Sequence, residues 1–507
     1  MRIVVIGMGY VGIPCAALLA DVPGFHVTGV QRRSARSGWK IEALNQGRSP
    51  FEGNEPGLAE LLHRVVLDKR TFRVTDDYSV CSHADVILLD VQTPVDGNHT
   101  PQYASLREAA AEVGRHMRRG VLVVIESTVA PGTTQHVVAP ILEIESGLRA
   151  GPDFGLASSY ERVMPGKLLE YLVHLPRVVG GMDHESTRRT VELYRRIVRA
   201  QIISTDCLTA ELAKTAENTY RDVNIAFANE MALVCESLGV DVFEVRRLVN
   251  SRPDRHMHVP GAGVGGHCLP KDPWLLNHGA NTNGCKAVAS DLLSVARRIN
   301  DGMPLHMADL VEEALTGAGL ALAAARVTVL GVAYLEDSDD TRNTPAAPLI
   351  RALAQRGAHV IAHDPYVRLA DWEALGLSHQ EHQEHQEDLT LKHGDTPLAS
   401  KVPRPFGPLD EGVPIPISVS SVFNPSSPSA VSAVNSVRYT QDLSEALLGA
   451  DCAVLVTKHH AYLGPELLQA AQSMRTRLLV DGRGCLEQPA CAQAGIAYCG
   501  LGRPRKA

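Results

Sequence analysis

The amino-terminal run RIVVIG is apolar and β-branched, and the glycine pattern GMGYVG, Gly7 to Gly12, follows it at once. Such a run is typical of a buried parallel strand, and the sequence after the glycines has a helical pattern. Glycines at this junction let the backbone turn tightly and approach a pyrophosphate, which the amino end of the helix stabilises. The unit predicts a doubly wound α/β sheet and favours dinucleotide binding over a purely structural glycine turn.

Further buried-strand candidates alternate with helical patterns along the first part of the chain. They are HVTGV at 26–30, ADVILLDV at 84–91, GVLVVIES at 120–127 and PRVVGG at 176–181. The strand pattern restarts with ARVTVLGVAY at 325–334 and continues through HVIAHDP, ADCAVLVTK and TRLLVDGRG. This alternation predicts two Rossmann-like domains, each built on a doubly wound parallel sheet.

A long helical segment separates the two sets of strands. Thr209 to Leu238 contains no Pro or Gly and repeats apolar residues at helical spacing. It predicts one long central helix that joins the two sheets and contributes to a dimer contact. We therefore expect a dinucleotide-binding domain at 1–203, a helical domain at 204–315 and a third domain at 316–507.

One segment of the third domain has a composition of its own. Residues 378–436 carry three HQE repeats and are rich in Pro and Ser, with eight prolines from Pro397 to Pro428. No periodic apolar face is present that would bury enough surface to fold. We expect a largely disordered insertion, in which the HQE repeats act as a solvated spacer and not as a metal site.

Composition narrows the class of partner. The 507 residues include 49 basic and 57 acidic side chains in no long single-sign block, which gives no electrostatic reason to expect nucleic acid or a membrane surface. No apolar run approaches the roughly 20 residues that span a bilayer. Ten cysteines without a CxxC pair argue against a disulfide scaffold or a zinc knuckle. We expect a cytoplasmic protein with a small-molecule partner and no metal.

The position that distinguishes NAD from NADP is unusual. An acidic residue about 20 residues after the glycines holds the ribose hydroxyls in many NAD-binding folds. Here that place is Gln31, followed by Arg32 and Arg33. Glutamine does not repel a 2′-phosphate as a carboxylate would, and two arginines attract one. These residues alone leave NADP open.

Several reactive side chains occur in a pattern that suits an oxidation. Lys214 and Asn218 are four residues apart on the long helix and project from one face. Cys268 lies in GVGGHCLPKDPW, four residues before Asp272, and STVAPGTT at 127–134 supplies a hydroxyl-bearing loop. Most cysteines are inert core residues, but one among glycines and beside an acid is expected to be a nucleophile.

With these motifs in order, the chain resembles the UDP-glucose/GDP-mannose dehydrogenase family. The resemblance runs from IGMGYVG through STVAPGTT, ERVMPG, PRVVGG, ELAKTAENTYRDVNIAFANE and GVGGHCLPKDPW to DTRNTP. It implies a UDP-sugar substrate, NAD as cofactor, a homodimer or higher homo-oligomer, and a uronic acid product for surface polysaccharide. It also implies two hydride transfers from C6 of the sugar, the second through a thioester on Cys268.

The resemblance assigns roles to individual residues. Lys214 stabilises the oxyanion with Asn218, while Asp272 and Glu161 position or activate water; with Cys268 these form the catalytic set. The cofactor-binding set is Gly7, Gly9, Tyr10, Val11, Gly12, Gln31, Arg32, Thr93, Thr128 and Arg342. The substrate-binding set is Glu161, Arg162, Lys214, Asn218, Gly265 and His267. For His267 a bond to the sugar and a structural loop bond remain equally open.

Two motifs bear on the substrate. GGHC and ERVMPG favour UDP-N-acetyl-D-mannosamine, with UDP-N-acetylglucosamine next and UDP-glucose third. The chain departs from the UDP-glucose enzymes at Tyr334 and Leu335, where they carry Phe-Lys, and Tyr160 stands where many relatives have Pro. A protein that kept the fold as an inactive nucleotide-sugar sensor is the alternative of another class; loss of Lys214 or Cys268 would be its simplest sign, and both are present.

Overall fold

The computed structural model describes residues 1–34, 37–51, 55–282, 291–377 and 437–504. Its strands fall into two groups separated by long helices. The strands are β1 Arg2–Ile6, β2 His26–Val30, β3 Phe72–Thr75, β4 Val86–Leu89, β5 Leu122–Ile125, β6 Gly155–Ser158, β7 Arg177–Gly181, β8 Ile202–Asp206, β9 Arg326–Leu330, β10 His359–His363, β11 Arg438–Thr440, β12 Cys452–Leu455, β13 Leu478–Asp481 and β14 Ala497–Gly500.

Helices occupy most of the connections between these strands. The α-helices are α1 Gly12–Asp21, α2 Trp39–Asn45, α3 Leu58–His63, α4 Ala104–His116, α5 Ala139–Ser146, α6 Leu168–His174, α7 His184–Tyr194, α8 Cys207–Leu238, α9 Val242–Val249, α10 Asp272–Thr282, α11 Asp291–Gly317, α12 Ala346–Gln355, α13 Leu369–Glu373, α14 Leu443–Leu447, α15 Pro465–Ala470 and α16 Gln488–Gln493.

The first sheet has eight strands in the order β3-β2-β1-β4-β5-β6-β7-β8. Apolar side chains of β1, β4 and β5 are buried on both faces, as expected of parallel strands covered by helices. One pairing differs from an all-parallel sheet, since β7 runs antiparallel to β6. Because of this direction, β6 ends and β7 begins on the same side of the molecule. The connection at 159–176, which includes α6, therefore lies at the carboxyl end of β6.

The second sheet has six parallel strands in the order β11-β10-β9-β12-β13-β14. Each sheet has separate apolar cores on its two faces: in the second sheet one core includes α11 and α12 and the other includes α14 and α15. The prediction of two doubly wound sheets joined by a long central helix is confirmed. The predicted insertion at 378–436 lies outside the described residues.

Helix α8 is the predicted long helix, extended by one half-turn at its start. The Asp206 carboxylate accepts from the Thr209 backbone N–H at 2.8 Å, and Gly239 ends the helix in the left-handed conformation at φ 70°. Against α11, a buried Asp222 accepts from Arg297 Nη1 at 2.6 Å and from Asn300 Nδ2 at 2.9 Å. Neither α8 nor any other described helix combines the length and apolar character that crossing a membrane requires.

Candidate active site

The carboxyl edge of the first sheet gathers the loops that sequence analysis singled out. The glycine loop follows β1, Thr93 follows β4, Thr128 follows β5 and Glu161 follows β6. Parallel strands end at one edge, and ligands of such sheets bind there. The Thr93 hydroxyl donates to the Thr128 carbonyl at 2.5 Å, which ties two of these loops together.

The glycine loop is shaped to bring backbone close to a phosphate. Gly7 has φ 105°, and a Cβ placed on it would lie 2.3 Å from the Asp90 carbonyl oxygen. A Cβ on Gly12 would lie 2.0 Å from the Gly7 carbonyl oxygen, whereas one on Gly9 would meet nothing within 4 Å. Gly7 and Gly12 are therefore required by packing within the loop, and Gly9 leaves an open approach to the amino end of α1. Val11 precedes that helix. These features fit the pyrophosphate of NAD.

The residues after β2 are already engaged in contacts within the protein. Gln31 Oε1 accepts from the Met8 backbone N–H at 3.1 Å, so this side chain holds the glycine loop. Arg32 pairs with Glu108 at 3.1 Å, and Arg33 pairs with Glu42 and Asp76 at 2.8 and 2.9 Å. Each arginine thus has a carboxylate partner of its own, which weakens the case for a 2′-phosphate site.

Tyr10 connects the glycine loop to the second half of the molecule. Its ring stacks on Phe51 with centroids 4.4 Å apart, and the Arg342 guanidinium carbon lies 5.3 Å from its centroid. The Arg342 Nε also donates to Asp340 Oδ1 at 2.9 Å. The predicted cofactor residues Tyr10 and Arg342 therefore meet, although they belong to different sheets.

The second sheet has a similar glycine turn after β9, but an internal carboxylate fills it. Gly331 has φ 93°, and the backbone N–H groups of Val332 and Ala333 donate to Asp364 Oδ2 at 2.7 and 2.9 Å. The His459 Nε2 lies 3.1 Å from the same oxygen. This turn already holds an anion, so the open dinucleotide site is the one in the first sheet.

Lys214 and Asn218 project from α8 toward the loop after β6 and toward the start of α10. Lys214 is 5% exposed, and its Nζ donates to the Glu161 carbonyl at 2.8 Å. Asn218 Nδ2 donates to Asp272 Oδ2 at 2.5 Å, while Lys271 Nζ donates to Asp272 Oδ1 at 2.5 Å. Both oxygens of this fully buried carboxylate are thus fixed by donors.

Cys268 lies in a loop that is clamped against the second half of the molecule. The Gly266 N–H donates to the Arg342 carbonyl at 2.8 Å, and Asn343 Nδ2 donates to the Gly266 carbonyl at 3.0 Å. A Cβ on Gly265 would lie 2.4 Å from Tyr334 Cβ, so only glycine allows this approach. The Asp272 N–H donates to the Cys268 carbonyl at 2.9 Å, which places the thiol at the start of α10.

Opposing charges act on the Cys268 thiol. Burial raises its pKa and the Asp272 carboxylate raises it further, whereas the Lys214 and Lys271 ammonium groups lower it; the net direction is upward. Without substrate or cofactor the thiol is therefore protonated at neutral pH. A base must accept its proton before it can act as a nucleophile.

Lys214 stays cationic despite its burial. Burial lowers its pKa, but the negative charges of Glu161 and Asp272, joined by Cys268 once its thiol ionises at high pH, outweigh that effect, so the pKa is raised. The Tyr160 ring lies below the ammonium at 5.5 Å and below the Arg162 guanidinium at 5.4 Å. A buried ammonium beside a thiol suits the stabilisation of an oxyanion that forms there.

Three further predicted substrate residues, Glu161, Arg162 and His267, lie in the loops after β6 and before α10. The Glu161 carboxylate accepts from the Val163 backbone N–H. Arg162 pairs with Glu217 at 2.8 Å and donates to the Pro176 carbonyl at 2.5 Å. Burial, with Lys271 and Arg342 nearby, lowers the pKa of His267 to about 4, so this imidazole is neutral at neutral pH.

Sequence reasoning missed two residues that shape the site, Glu211 and Lys271, and it named Tyr334 only as a departure from the UDP-glucose enzymes. Glu211 accepts from the backbone N–H groups of Gly132 and Thr134 at 2.6 and 2.8 Å, and burial raises its pKa to about 7. It lies one helical turn before Lys214, so the helical stripe was a signal for it. Lys271, next to Asp272, was visible only as an adjacent opposite charge, and the Tyr334 contact had no sequence signal.

Comparison with known proteins identifies the family of this chain. The UDP-glucose/GDP-mannose dehydrogenase family matches in three parts: its NAD binding domain at residues 1–198, its central domain at 208–302 and its UDP binding domain at 328–392 and 419–488. The chain belongs to this family. It is therefore an NAD-dependent nucleotide-sugar dehydrogenase.

Individual relatives carry more specific names. The UDP-N-acetyl-D-mannosamine dehydrogenase of Pyrococcus horikoshii is 34% identical over 503 residues, covering 99% of each chain. A solved structure of that enzyme from the same organism has a TM-score of 0.80 and covers 99% of this chain and 100% of its own. The NDP-N-acetyl-D-galactosaminuronic acid dehydrogenase of Methanosarcina mazei is 36% identical, with a TM-score of 0.76 and coverage of 99% and 95%.

Proposed function

We propose that this enzyme oxidises C6 of UDP-N-acetyl-D-mannosamine to a carboxylate, using two molecules of NAD and a thioester on Cys268. The observation that carries the proposal is the convergence of a half-buried thiol, the Lys214 ammonium and the Asp272–Asn218 pair at the edge of the dinucleotide site. When bound, NAD supplies the hydride acceptor for each oxidation. Each domain has its own role: the domain at 1–203 binds NAD, the domain at 204–315 contains the catalytic helix, and the domain at 316–507 binds the UDP group.

In the first oxidation the protein orients the C6 alcohol and manages its proton. The Lys214 ammonium stabilises the alkoxide as it develops, because it is buried and held by the Glu161 carbonyl. A water positioned by Glu161 or Asp272 carries the hydroxyl proton away as the C–H hydride leaves. The product of this step is the C6 aldehyde.

In the second oxidation Cys268 forms a covalent bond with the substrate. A water positioned by Asp272 or Glu161 takes the thiol proton and releases it to solvent. The thiolate then adds to the aldehyde carbon, and the C=O electron pair moves onto the oxygen to give a thiohemiacetal oxyanion, which Lys214 and Asn218 stabilise. Loss of hydride from that carbon leaves a thioester. Water then attacks the thioester carbonyl with Asp272 as the proton acceptor, which breaks the C–S bond, releases the carboxylate and restores the thiol.

The substrate preference is testable with a panel of sugar nucleotides. We expect kcat/KM for UDP-N-acetyl-D-mannosamine to exceed that for UDP-glucose by at least roughly tenfold, because a site that hydrogen-bonds an acetamido group leaves polar atoms unpaired without it. UDP-N-acetylglucosamine carries the same group in the opposite configuration at C2, so its kcat/KM should fall between these two. The measurement is NADH formation with each sugar under identical conditions. UDP-N-acetylgalactosamine belongs in the panel because of the name of the Methanosarcina mazei relative.

Comparable kcat/KM values for UDP-glucose and UDP-N-acetyl-D-mannosamine would contradict this preference. If another UDP-N-acetylhexosamine gave the highest activity, the requirement for an acetamido group would stand, but the preferred sugar would be that epimer and not N-acetyl-D-mannosamine. Heat-treated enzyme is the control for NADH formation that does not depend on the protein.

We also propose that the enzyme is at least a homodimer, formed through α8. This helix leaves large apolar side chains exposed, including Tyr220 at 72%, Phe227 at 50% and Leu238 at 70%. A patch of this kind on a long helix marks a protein interface. We expect light scattering to give at least twice the 54.6 kDa of one chain, and Phe227→Glu to lower that mass.

The matched control for the interface is Ile144→Glu. Ile144 is 80% exposed on α5, so this change adds the same charge away from α8. A wild-type mass of one chain, or equal effects of the two substitutions, would exclude the proposed interface.

A further inference from the structure

A pair of buried carboxyl groups lies beneath the glycine loop. Asp90 follows β4 and Glu126 follows β5, and these strands pair in parallel with Leu89 opposite Ile125. The two acids are therefore the next residues in register, on adjacent strands about 4.8 Å apart, and their side chains point to the same face. The Asp90 backbone N–H donates to the Ile6 carbonyl at 2.8 Å, which fixes it to β1.

Asp90 touches both ends of the glycine loop. A Cβ on Gly7 would lie 2.3 Å from the Asp90 carbonyl oxygen, and one on Gly12 would lie 3.4 Å from Asp90 Cβ. Asp90 thus packs against the turn that leads into α1 through its backbone carbonyl and its Cβ. A negative charge on its side chain would act on the glycine loop, where the pyrophosphate of NAD is expected to bind.

The hydrogen bonds of the pair are unequal. Glu126 Oε1 accepts from Arg177 and from the Tyr194 hydroxyl at 2.6 Å, and the Cys15 thiol lies 3.7 Å away. Glu126 Oε2 and both oxygens of Asp90 are buried and have no donor among the described residues. One arginine therefore serves two carboxyl groups, and three buried acceptor oxygens lack a proton to accept.

We infer that Asp90 is a neutral carboxylic acid that shares one proton with Glu126 and, in this form, positions the glycine loop for the cofactor's pyrophosphate. The shared proton gives Asp90 a hydrogen bond to Glu126 and leaves one negative charge for Arg177. An ionised Asp90 would instead oppose the pyrophosphate and offset the positive amino end of α1.

The charged and titratable groups around Asp90 agree with this assignment. Burial raises the pKa of Asp90 well above its usual value, and the Glu126 carboxylate raises it further. Arg177 lowers it and Glu161, in the loop after β6, raises it. The neighbours on α1 and α7, Cys15 and Tyr194, have pKa values raised by burial and stay neutral. Asp90 is therefore protonated at neutral pH and loses its proton only as the pH rises.

The test is the dissociation constant of NAD as a function of pH, measured by calorimetry without sugar. From about pH 6 to about pH 10 we expect wild-type affinity to weaken by roughly tenfold more than that of Asp90→Asn. The amide of Asp90→Asn donates to Glu126 as the acid does but cannot ionise. Asp68→Asn, at an exposed acid, is the matched control and should follow the wild type.

Infrared spectra of the protein without NAD provide the second measurement. The wild-type spectrum minus that of Asp90→Asn should contain the C=O stretching band of a protonated carboxylic acid at neutral pH. Glu126→Gln removes one cause of the raised Asp90 pKa and leaves Arg177 without the carboxylate of Glu126, so Asp90 should lose its proton at lower pH; NAD binding at neutral pH should weaken and that band should shrink. Absence of the band, or parallel pH profiles for wild type and Asp90→Asn, would overturn the inference. Neither measurement depends on which sugar the enzyme oxidises.

Discussion

Replacement of Cys268 by alanine is expected to lower the rate of carboxylate formation by at least about 10³-fold. The substitution removes the atom that forms the thiohemiacetal, while the loop remains clamped by Gly266 and Asn343 through backbone and amide hydrogen bonds. The first oxidation, which needs no thiol, should persist and yield the C6 aldehyde or its hydrate. Product analysis by mass spectrometry distinguishes aldehyde from carboxylate.

Cys485→Ala is the matched control for this substitution. Cys485 is also half-buried and has a pKa raised to about 12, but it lies beside Asp481 in the second sheet. It should retain wild-type activity. Carboxylate formation by Cys268→Ala at the wild-type rate would make Cys268 a packing residue.

The second large effect is expected at Lys214. Lys214→Met keeps the apolar stem and removes the ammonium, so kcat should fall by about 10²- to 10³-fold, as when one donor to an oxyanion is removed. The same change should raise the pKa of the Cys268 thiol, because the Lys214 charge lowers it in the wild type. Alkylation of Cys268 by iodoacetamide, followed against pH, measures this shift directly.

The direction in which the alkylation profile of Cys268 moves with pH follows from the reactive form of the thiol. The thiolate is the species that is alkylated, so a raised pKa moves the alkylation profile to higher pH and slows the reaction at neutral pH. Lys69→Met, on the surface beside Asp21, should leave both activity and the profile unchanged. An unchanged profile in Lys214→Met would mean that its charge does not act on Cys268.

Much of the fold follows from local patterns in the sequence. Helix α8 was predicted from Thr209 to Leu238 and is found from Cys207 to Leu238, because a capping acid precedes it and a glycine ends it. The buried strands around the glycine loop are equally clear from their β-branched runs. The antiparallel β7 was not predictable in this way, since the direction in which a strand re-enters a sheet depends on tertiary packing.

The candidate site likewise has features that local sequence spacing predicts and features that it does not. Lys214 and Asn218 share a helix face, and Cys268 and Asp272 are one turn apart, so local spacing predicts each pair. The contact of Tyr10 with Arg342 and the pairing of Asp90 with Glu126 join residues distant in sequence. Such contacts depend on how strands align and on how the two halves of the chain pack, which a single sequence does not reveal.

The most direct test of the proposed chemistry is the amount of NADH formed per molecule of limiting UDP-N-acetyl-D-mannosamine consumed by the wild-type enzyme. Oxidation through a thioester on Cys268 requires two NADH and one uronate per sugar, with no free aldehyde accumulating. A ratio of one, with the aldehyde as final product, would show that oxidation stops after the first hydride transfer and that Cys268 does not carry the substrate to the acid.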